Sequence, residues 1–227
     1  MANPSGTRVK TSSFELFMND LVYIIGAGSV GGFIANSIDE FNVPLKIGGF
    51  FDDDTSKAGL ELFGYKVLGS TMDLMNLPEK ANLIFGIAFP EVKMNIYKKV
   101  TNFKDFRFPS LIHQRAWISK NVKIGNGSII YPGCSINYGS IVDDFVVMNM
   151  NCSVGHDCYI DKFTSLAPGV NLGGHTKIGK LTQVGIGASS RQFAIVGDNV
   201  IIGGQSMFFG NIPDYAKVKG VPGKIYQ

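Results

Sequence analysis

Stepping by six from Ile118, the chain reads Ile118, Ile124, Ile130, Ile136, Val142, Met148, Val154, Ile160, Leu166, Leu172, Ile178, Val184, Ser190, Val196, Ile202 and Phe208, so fifteen of sixteen positions are apolar. Four residues after each stands a small or β-branched residue, from Val122, Ser128 and Cys134 through to Ile212. A helix repeats every 3.6 residues and a strand's two faces every second residue, so a period of six belongs to neither alone. It fits a solenoid whose short strands meet at three corners, with eighteen residues in one triangular coil. Residues eighteen apart then stack, roughly 4.8 Å per coil. Three inner columns follow: Ile118/Ile136/Val154/Leu172, Ile124/Val142/Ile160/Ile178/Val196 and Ile130/Met148/Leu166/Val184/Ile202. Each is an apolar ladder. Ser190 alone breaks the pattern, and a local loop or distortion is expected within Ser189-Ser190-Arg191-Gln192-Phe193.

The first half of the chain has a different texture. Met1 to Phe17 is polar and patternless and reads as a disordered leader or tag, with Met18 a candidate start. Leu21–Ile25 is the continuous apolar run of a buried parallel strand. It leads through Gly26-Ala27-Gly28-Ser29-Val30-Gly31-Gly32 into a helical stretch ending near Phe41. Lys46–Phe51, Tyr65–Leu68 and Leu83–Gly86 read as further strands, and a helix is expected over Pro90 to Val100. Such alternation predicts a small doubly wound α/β sheet. The expected domains are therefore 18–107 and 108–227, with the join between residues 107 and 116.

Outer columns carry different information. Phe145, Phe163 and Leu181 also lie eighteen apart and form an apolar stripe outside the prism. Such a stripe predicts a partner surface, most simply a closed cyclic homo-oligomer, unless a loop of the same chain covers it. The net charge of +3 over 227 residues is not gathered into a basic stripe, which argues against nucleic acid. No apolar run approaches the ~20 residues of a membrane span, and residues 1–17 lack the apolar core of a signal peptide. The chain is thus expected to be soluble and cytoplasmic. Cys134, Cys152 and Cys158 all fall at the small-residue position of the repeat and read as core residues rather than a disulfide framework.

Three histidines are present: His113, His156 and His175. His156 stands two places after the inward Val154 and should point away from the core. Its column is Tyr138, His156, Gly174, Gln192, so a glycine on the next coil leaves room beside the imidazole. Asp157 can orient the ring and support an imidazolium. On spacing alone, a surface histidine beside an aspartate is more often inert than catalytic. His113, at the domain join, reads as structural, and His175 as an exposed corner residue. No metal site is expected, because His156 and His175 are nineteen apart, one off the coil repeat, and no His-x-x-x-x-His pair exists.

Gly26-x-Gly28-x-x-Gly31 follows a strand and opens a helix, the context in which this fingerprint cradles a phosphate at a helix N-terminus. Asp52 and Asp53 follow about twenty residues later at a strand end. The layout suits a nucleotide diphosphate. The solenoid leaves no room for a hydride-transfer domain, which argues against an oxidoreductase.

Taken together, Gly26-Ala27-Gly28, Phe51-Asp52-Asp53, Leu111-Ile112-His113, Gly155-His156-Asp157, Ala167-Pro168-Gly169 and Gly220-Val221-Pro222-Gly223-Lys224 resemble the NeuD/PglD type of sialic-acid O-acetyltransferases and amino-sugar N-acetyltransferases. The resemblance spans Leu21 to Lys224. It implies a Rossmann-like domain holding a nucleotide sugar, a left-handed parallel β-helix of hexapeptide repeats, and a homotrimer with acetyl-CoA between adjacent prisms. By position it implies His156 as general base, Asp157 as its acidic companion and Asn149 near the acceptor sugar. It implies that Gly26, Gly28, Asp52 and Asp53 hold the sugar nucleotide, and that Gly174, Gly204 and Lys224 lie along the acetyl-CoA path, the Gly174 amide at the thioester carbonyl. The chain departs from the family pattern at Val30 and Ser165, where some members carry histidine, and at Gly223, where alanine is usual.

The expected chemistry is direct transfer from acetyl-CoA to the amine of a nucleotide-linked amino sugar, as used in bacterial surface glycan biosynthesis. No acyl-enzyme is needed. Two alternatives stand beside it: O-acetylation of a sugar such as sialic acid, and a non-catalytic nucleotide-binding trimeric module.

Overall fold

The computed structural model describes residues 20–226, and the expected leader over residues 1–17 lies outside them. Five strands, β1 (Leu21–Ile25), β2 (Lys46–Phe51), β3 (Glu61–Leu62), β4 (Tyr65–Gly69) and β5 (Asn82–Phe85), form one sheet in the order β3-β4-β2-β1-β5. All pairings are parallel except the short β3–β4 hairpin. Helix α1 (Ser29–Ser37) follows β1, and α2 (Pro90–Val100) follows β5. The central β1 is covered on both faces, which is why its sequence is an unbroken apolar run. Val22 and Ile24 pack with Ile34 and Ala35 of α1, whereas Tyr23 and Ile25 pack with Leu83 and Phe85 on the other side.

From Leu111 the chain winds as a three-sided prism of short parallel strands. We name each face by a central inward residue. The Met148 face runs from Leu111–Ile112 to Lys217–Lys219, the Val154 face from Trp117–Ile118 to Met207–Phe208, and the Ile160 face from Lys123–Ile124 to Asn211–Ile212. Pairing follows the eighteen-residue register: Ile136 faces Val154, Val142 faces Ile160, and Met148 faces Leu166. The inner ladders are dry. Ile136, Val142, Met148, Ile160, Val184 and Ile202 are all buried, as are the small residues at the corners from Ser128 to Ser206.

Four details differ from the sequence reading. The first coil starts at Ile112, one hexad before Ile118, because Leu111–Ile112 already pairs with Ile129–Ile130. In the last coil the register contracts, so that Ile201 faces Lys217. At Ser190 no loop forms: strand Ser189–Ser190 is kept, and the serine hydroxyl accepts the Gly173 N–H at 2.9 Å and lies 2.9 Å from the Thr176 hydroxyl. The inward polar group is thereby satisfied at the loss of one ladder pairing, Asn171–Ser189 alone remaining on that side.

The fourth difference concerns the Phe145/Phe163/Leu181 stripe, which is not a free partner surface. All three are buried within the chain, Phe145 to 4 % exposure. Phe163 stacks on Phe145 with centroids 4.9 Å apart, and both meet Tyr97 of α2, while Phe85 and Phe108 close over Phe145. The first domain itself covers the stripe. Beneath α2, the fully buried Lys93 donates from Nζ to the Phe145 carbonyl at 2.5 Å. Among the described residues, no helix is long and apolar enough to cross a membrane.

Candidate active site

The glycine loop turns β1 into α1. Gly31 is forced there by contact: a Cβ at this position would sit 2.1 Å from the Gly26 carbonyl oxygen. Gly28 is the N-cap of α1 and offers no side chain, so the first helical amides face outward. The loop is braced from β2. Asp52 accepts from the Ala27 N–H at 2.8 Å, the Asp54 N–H at 2.9 Å and Lys57 Nζ at 2.9 Å. Burial pushes the Asp52 carboxyl up, but the Lys57 hydrogen bond, the two amides and the Lys57 charge outweigh it and hold it below the ordinary carboxylate value. Asp53 accepts from the Thr71 N–H and hydroxyl at 2.7 and 2.8 Å. Gly26, Gly28, Asp52 and Asp53 all line one cavity of ≈ 360 Å³, closed on its far side by Ala88 and Phe89.

Ala88 and Phe89 also wall a second cavity, of ≈ 380 Å³, that runs along the Met148 face. Asn149, Ser165 and Gly204 line it. The Ser165 hydroxyl donates to the Ala88 carbonyl, fastening the β5–α2 loop to the prism. The two cavities thus share a wall. This junction was not legible in the sequence, although an aromatic residue directly before the Pro90 helix start could have drawn notice.

His156 lies elsewhere, at the corner between the Val154 and Ile160 faces. Its Nδ1 is 2.8 Å from Asp157 Oδ2. A carboxylate can only accept, so Nδ1 carries the proton and Nε2 is the basic nitrogen of the neutral ring. The ring stacks on Tyr138 with centroids 5.3 Å apart and leans over Gly174, where a Cβ would meet Nε2 at 2.8 Å. The expected column of Tyr138, His156 and Gly174 is therefore seen, with the glycine making room for the imidazole. Among the described residues, the Gly174 N–H has no acceptor.

The sequence places His175 at an exposed corner, one residue off register with His156. The structure corrects this: the two rings meet edge to face with centroids 4.9 Å apart, and His175 is only half-exposed. His156 leans toward the next coil through the gap that Gly174 leaves, and that tilt offsets the nineteenth residue. One donor atom each from His156, Asp157 and His175 lies within 4.8 Å of the others. His113 is buried, with Nε2 3.1 Å from Glu40 and Nδ1 accepting the Arg115 N–H, as suits a structural residue at the join. Lys224 sits exposed on the terminal antiparallel strand Lys224–Tyr226 and borders neither cavity.

The predicted residues thus form three groups. Gly26, Gly28, Asp52 and Asp53 share the first cavity, and Asn149 and Gly204 share the second. His156, Asp157 and Gly174 stand at the next corner of the prism.

Comparison with known proteins gives a consistent picture. Residues 21–100 match the family model of the PglD N-terminal domain. The acetyltransferase domain of PglB from Neisseria gonorrhoeae is 30 % identical with a TM-score of 0.82, over 92 % of this chain and all of that one. The same domain is also known in complex with acetyl coenzyme A. PerB from Caulobacter crescentus, in complex with CoA and GDP-perosamine, is 25 % identical with a TM-score of 0.83, over 91 % of this chain and 97 % of that one. No curated protein sequence matches the chain.

Proposed function

The chain belongs to the NeuD/PglD-like sugar acetyltransferases, an acetyl-CoA-dependent acyltransferase, and on that premise we propose that it acetylates the amine of a nucleotide-linked amino sugar with His156 as general base. The single observation that carries this reading is the His156–Asp157 pair at 2.8 Å, with Nε2 free above Gly174. The glycine loop would hold the diphosphate at the α1 N-terminus. The sugar would then extend past Phe89 toward the second cavity.

The reaction follows from these parts. The amine nitrogen attacks the thioester carbonyl carbon while His156 Nε2 takes its proton. The carbonyl oxygen becomes an oxyanion and accepts the Gly174 N–H, a donor fixed in place before the charge develops. Collapse breaks the C–S bond, and the CoA sulfur leaves with a proton from the imidazolium. Asp157 steadies that imidazolium. No cysteine intermediate takes part: Cys134, Cys152 and Cys158 are buried in the core, and burial pushes the Cys158 thiol up, away from thiolate.

Geometry also supports a homotrimer. Asn149 and Gly204 stand at one end of the Val154 face, and His156 and Gly174 at the other, separated by on the order of 20 Å of extended chain. A small acceptor cannot reach both Asn149 and His156 of one copy, so the two would serve one site only across two copies, as in the homotrimer that the resemblance implies. The copies would meet across the small outward residues Ser135, Ser153, Asn171 and Ser189 rather than across the phenylalanine stripe.

The test is incubation with acetyl-CoA and a panel of UDP-, dTDP- and GDP-linked amino sugars, read by free thiol and by product mass. Thiol release with one panel member, lowered ~10²–10⁴-fold by His156→Ala, is the expected result. Turnover of His156→Ala within a few-fold of wild type would overturn the base assignment.

A further inference from the structure

We propose that His156, Asp157 and His175 form a binding site for a divalent transition-metal ion of the zinc type, placed on the same imidazole that serves the acetyl transfer. Two imidazoles and a carboxylate are a donor set that suits such ions. Their donor atoms already lie within 4.8 Å of one another. A four-coordinate ion with bonds of about 2.0–2.1 Å sets its donors about 3.3 Å apart. The separation of His156 Nδ1 from Asp157 Oδ2, 2.8 Å, is close to this; binding moves the Nδ1 proton to Nε2, frees the Nδ1 lone pair for the ion and turns the His175 ring toward it.

The fold prepares both rings for that movement. Tyr138 backs His156 at 5.3 Å and 16°, and Phe193 backs His175 at 4.6 Å and 6°. Each imidazole is thus held in its plane by a flat neighbour, and the two rings meet edge to face. Asp157 is exposed and both histidines are partly exposed, so an ion can enter and keep a water as its fourth ligand. The left-handed corner conformation of Asp157 and His175, with φ of +55° and +60°, presents successive coils' side chains on the same edge.

Resting on the base assignment above, the consequence is exclusion. An imidazole bound to a metal through one nitrogen carries its proton on the other, leaving no lone pair for the acceptor amine. Zinc and acetyl transfer would therefore compete for His156.

Direct titration tests the site without reference to any sugar substrate. Zn²⁺ is added to the full chain in competition with a chromophoric chelator, alongside His175→Asn and Asp157→Asn, since asparagine tolerates the left-handed corner. Wild type should bind one ion per chain, and each variant at least about tenfold more weakly, because losing a ligand costs no less than losing a ligand's supporting contact. With Co²⁺ in place of Zn²⁺, the visible spectrum should show nitrogen and oxygen ligation without thiolate charge-transfer bands. No binding by wild type, equal binding by His175→Asn, or a thiolate signature from the cysteines would each overturn the proposal. A chain that binds zinc as described but acetylates nothing in the panel would leave the site standing and refute only the proposed amino-sugar acetylation.

Discussion

Lys93 offers a quantitative probe of how the two halves of the molecule hold together. Its side chain is fully buried between α2 and the prism, and its amine donates to the Phe145 carbonyl. Burial lowers its pKa from the ordinary 10.5 to about 7. Folding near neutral pH therefore strips a proton that the unfolded chain keeps. Between pH 7 and 10.5 the unfolded state binds one more proton than the native state, so stability rises with pH through that window and is lost as pH falls toward 7. The full window corresponds to about 5 kcal/mol at 1.36 kcal/mol per unit. Between pH 7.5 and 9.5 about 2 to 3 kcal/mol should be seen. Lys93→Met keeps the volume and removes the proton, while the Phe145 carbonyl loses its donor at a pH-independent cost of about 1–3 kcal/mol. Urea unfolding of both proteins across this range separates the two effects: the offset reports the hydrogen bond and the slope reports the proton. The wild-type minus variant difference should climb by about 2 to 3 kcal/mol from pH 7.5 to 9.5. A flat difference would mean that Lys93 stays charged in the fold, and the reasoning would be wrong.

Other consequences are more local. Gly174→Ala places a methyl 2.8 Å from His156 Nε2, so thiol release should fall by about 10² through misplacement of the base while circular dichroism stays unchanged. Phe163→Ala opens a hole beneath α2 and should destabilise by about 3–5 kcal/mol; a loss under 1 kcal/mol in urea unfolding would mean the stripe is not a shared core. Asp52→Asn removes a depressed carboxyl, so its stability deficit should be constant above about pH 5 and shrink as pH falls through the ordinary carboxylate value of 3.8. Acid titration followed by fluorescence would show whether it does.

Much of the prism was legible because the hexad is a local code. Each inward residue needs only its own strand and the strands eighteen residues away, so Val142, Ile160 and Ile178 could be assigned to one column without coordinates. The glycine loop was legible for a similar reason, since strand, turn and helix are contiguous. Contacts that depend on docking were not. Nothing in the spacing of Phe145, Phe163 and Leu181 says whether a second chain or the first domain covers them, and the answer lies in Phe85 and Tyr97, on β5 and α2 of that domain. Lys93 is likewise an ordinary helical lysine until α2 is laid on the Phe145 corner. His175 meets His156 despite the nineteen-residue spacing because column arithmetic treats side chains as perpendicular to the axis, whereas His156 tilts over Gly174. At Ser190 the sequence predicts a local loop or distortion, but a hydroxyl can replace the ladder acceptor within the same backbone path.

The proposal that the site is shared between copies is tested most directly by complementation. His156→Ala and Asn149→Ala chains are each expected to be impaired, and co-expression should yield mixed trimers. If each site takes His156 from one copy and Asn149 from its neighbour, one interface in four regains both residues, and activity should return to about a quarter of the wild-type rate. Activity no higher than the mean of the two parent variants would place His156 and Asn149 in the same copy's site and contradict the account.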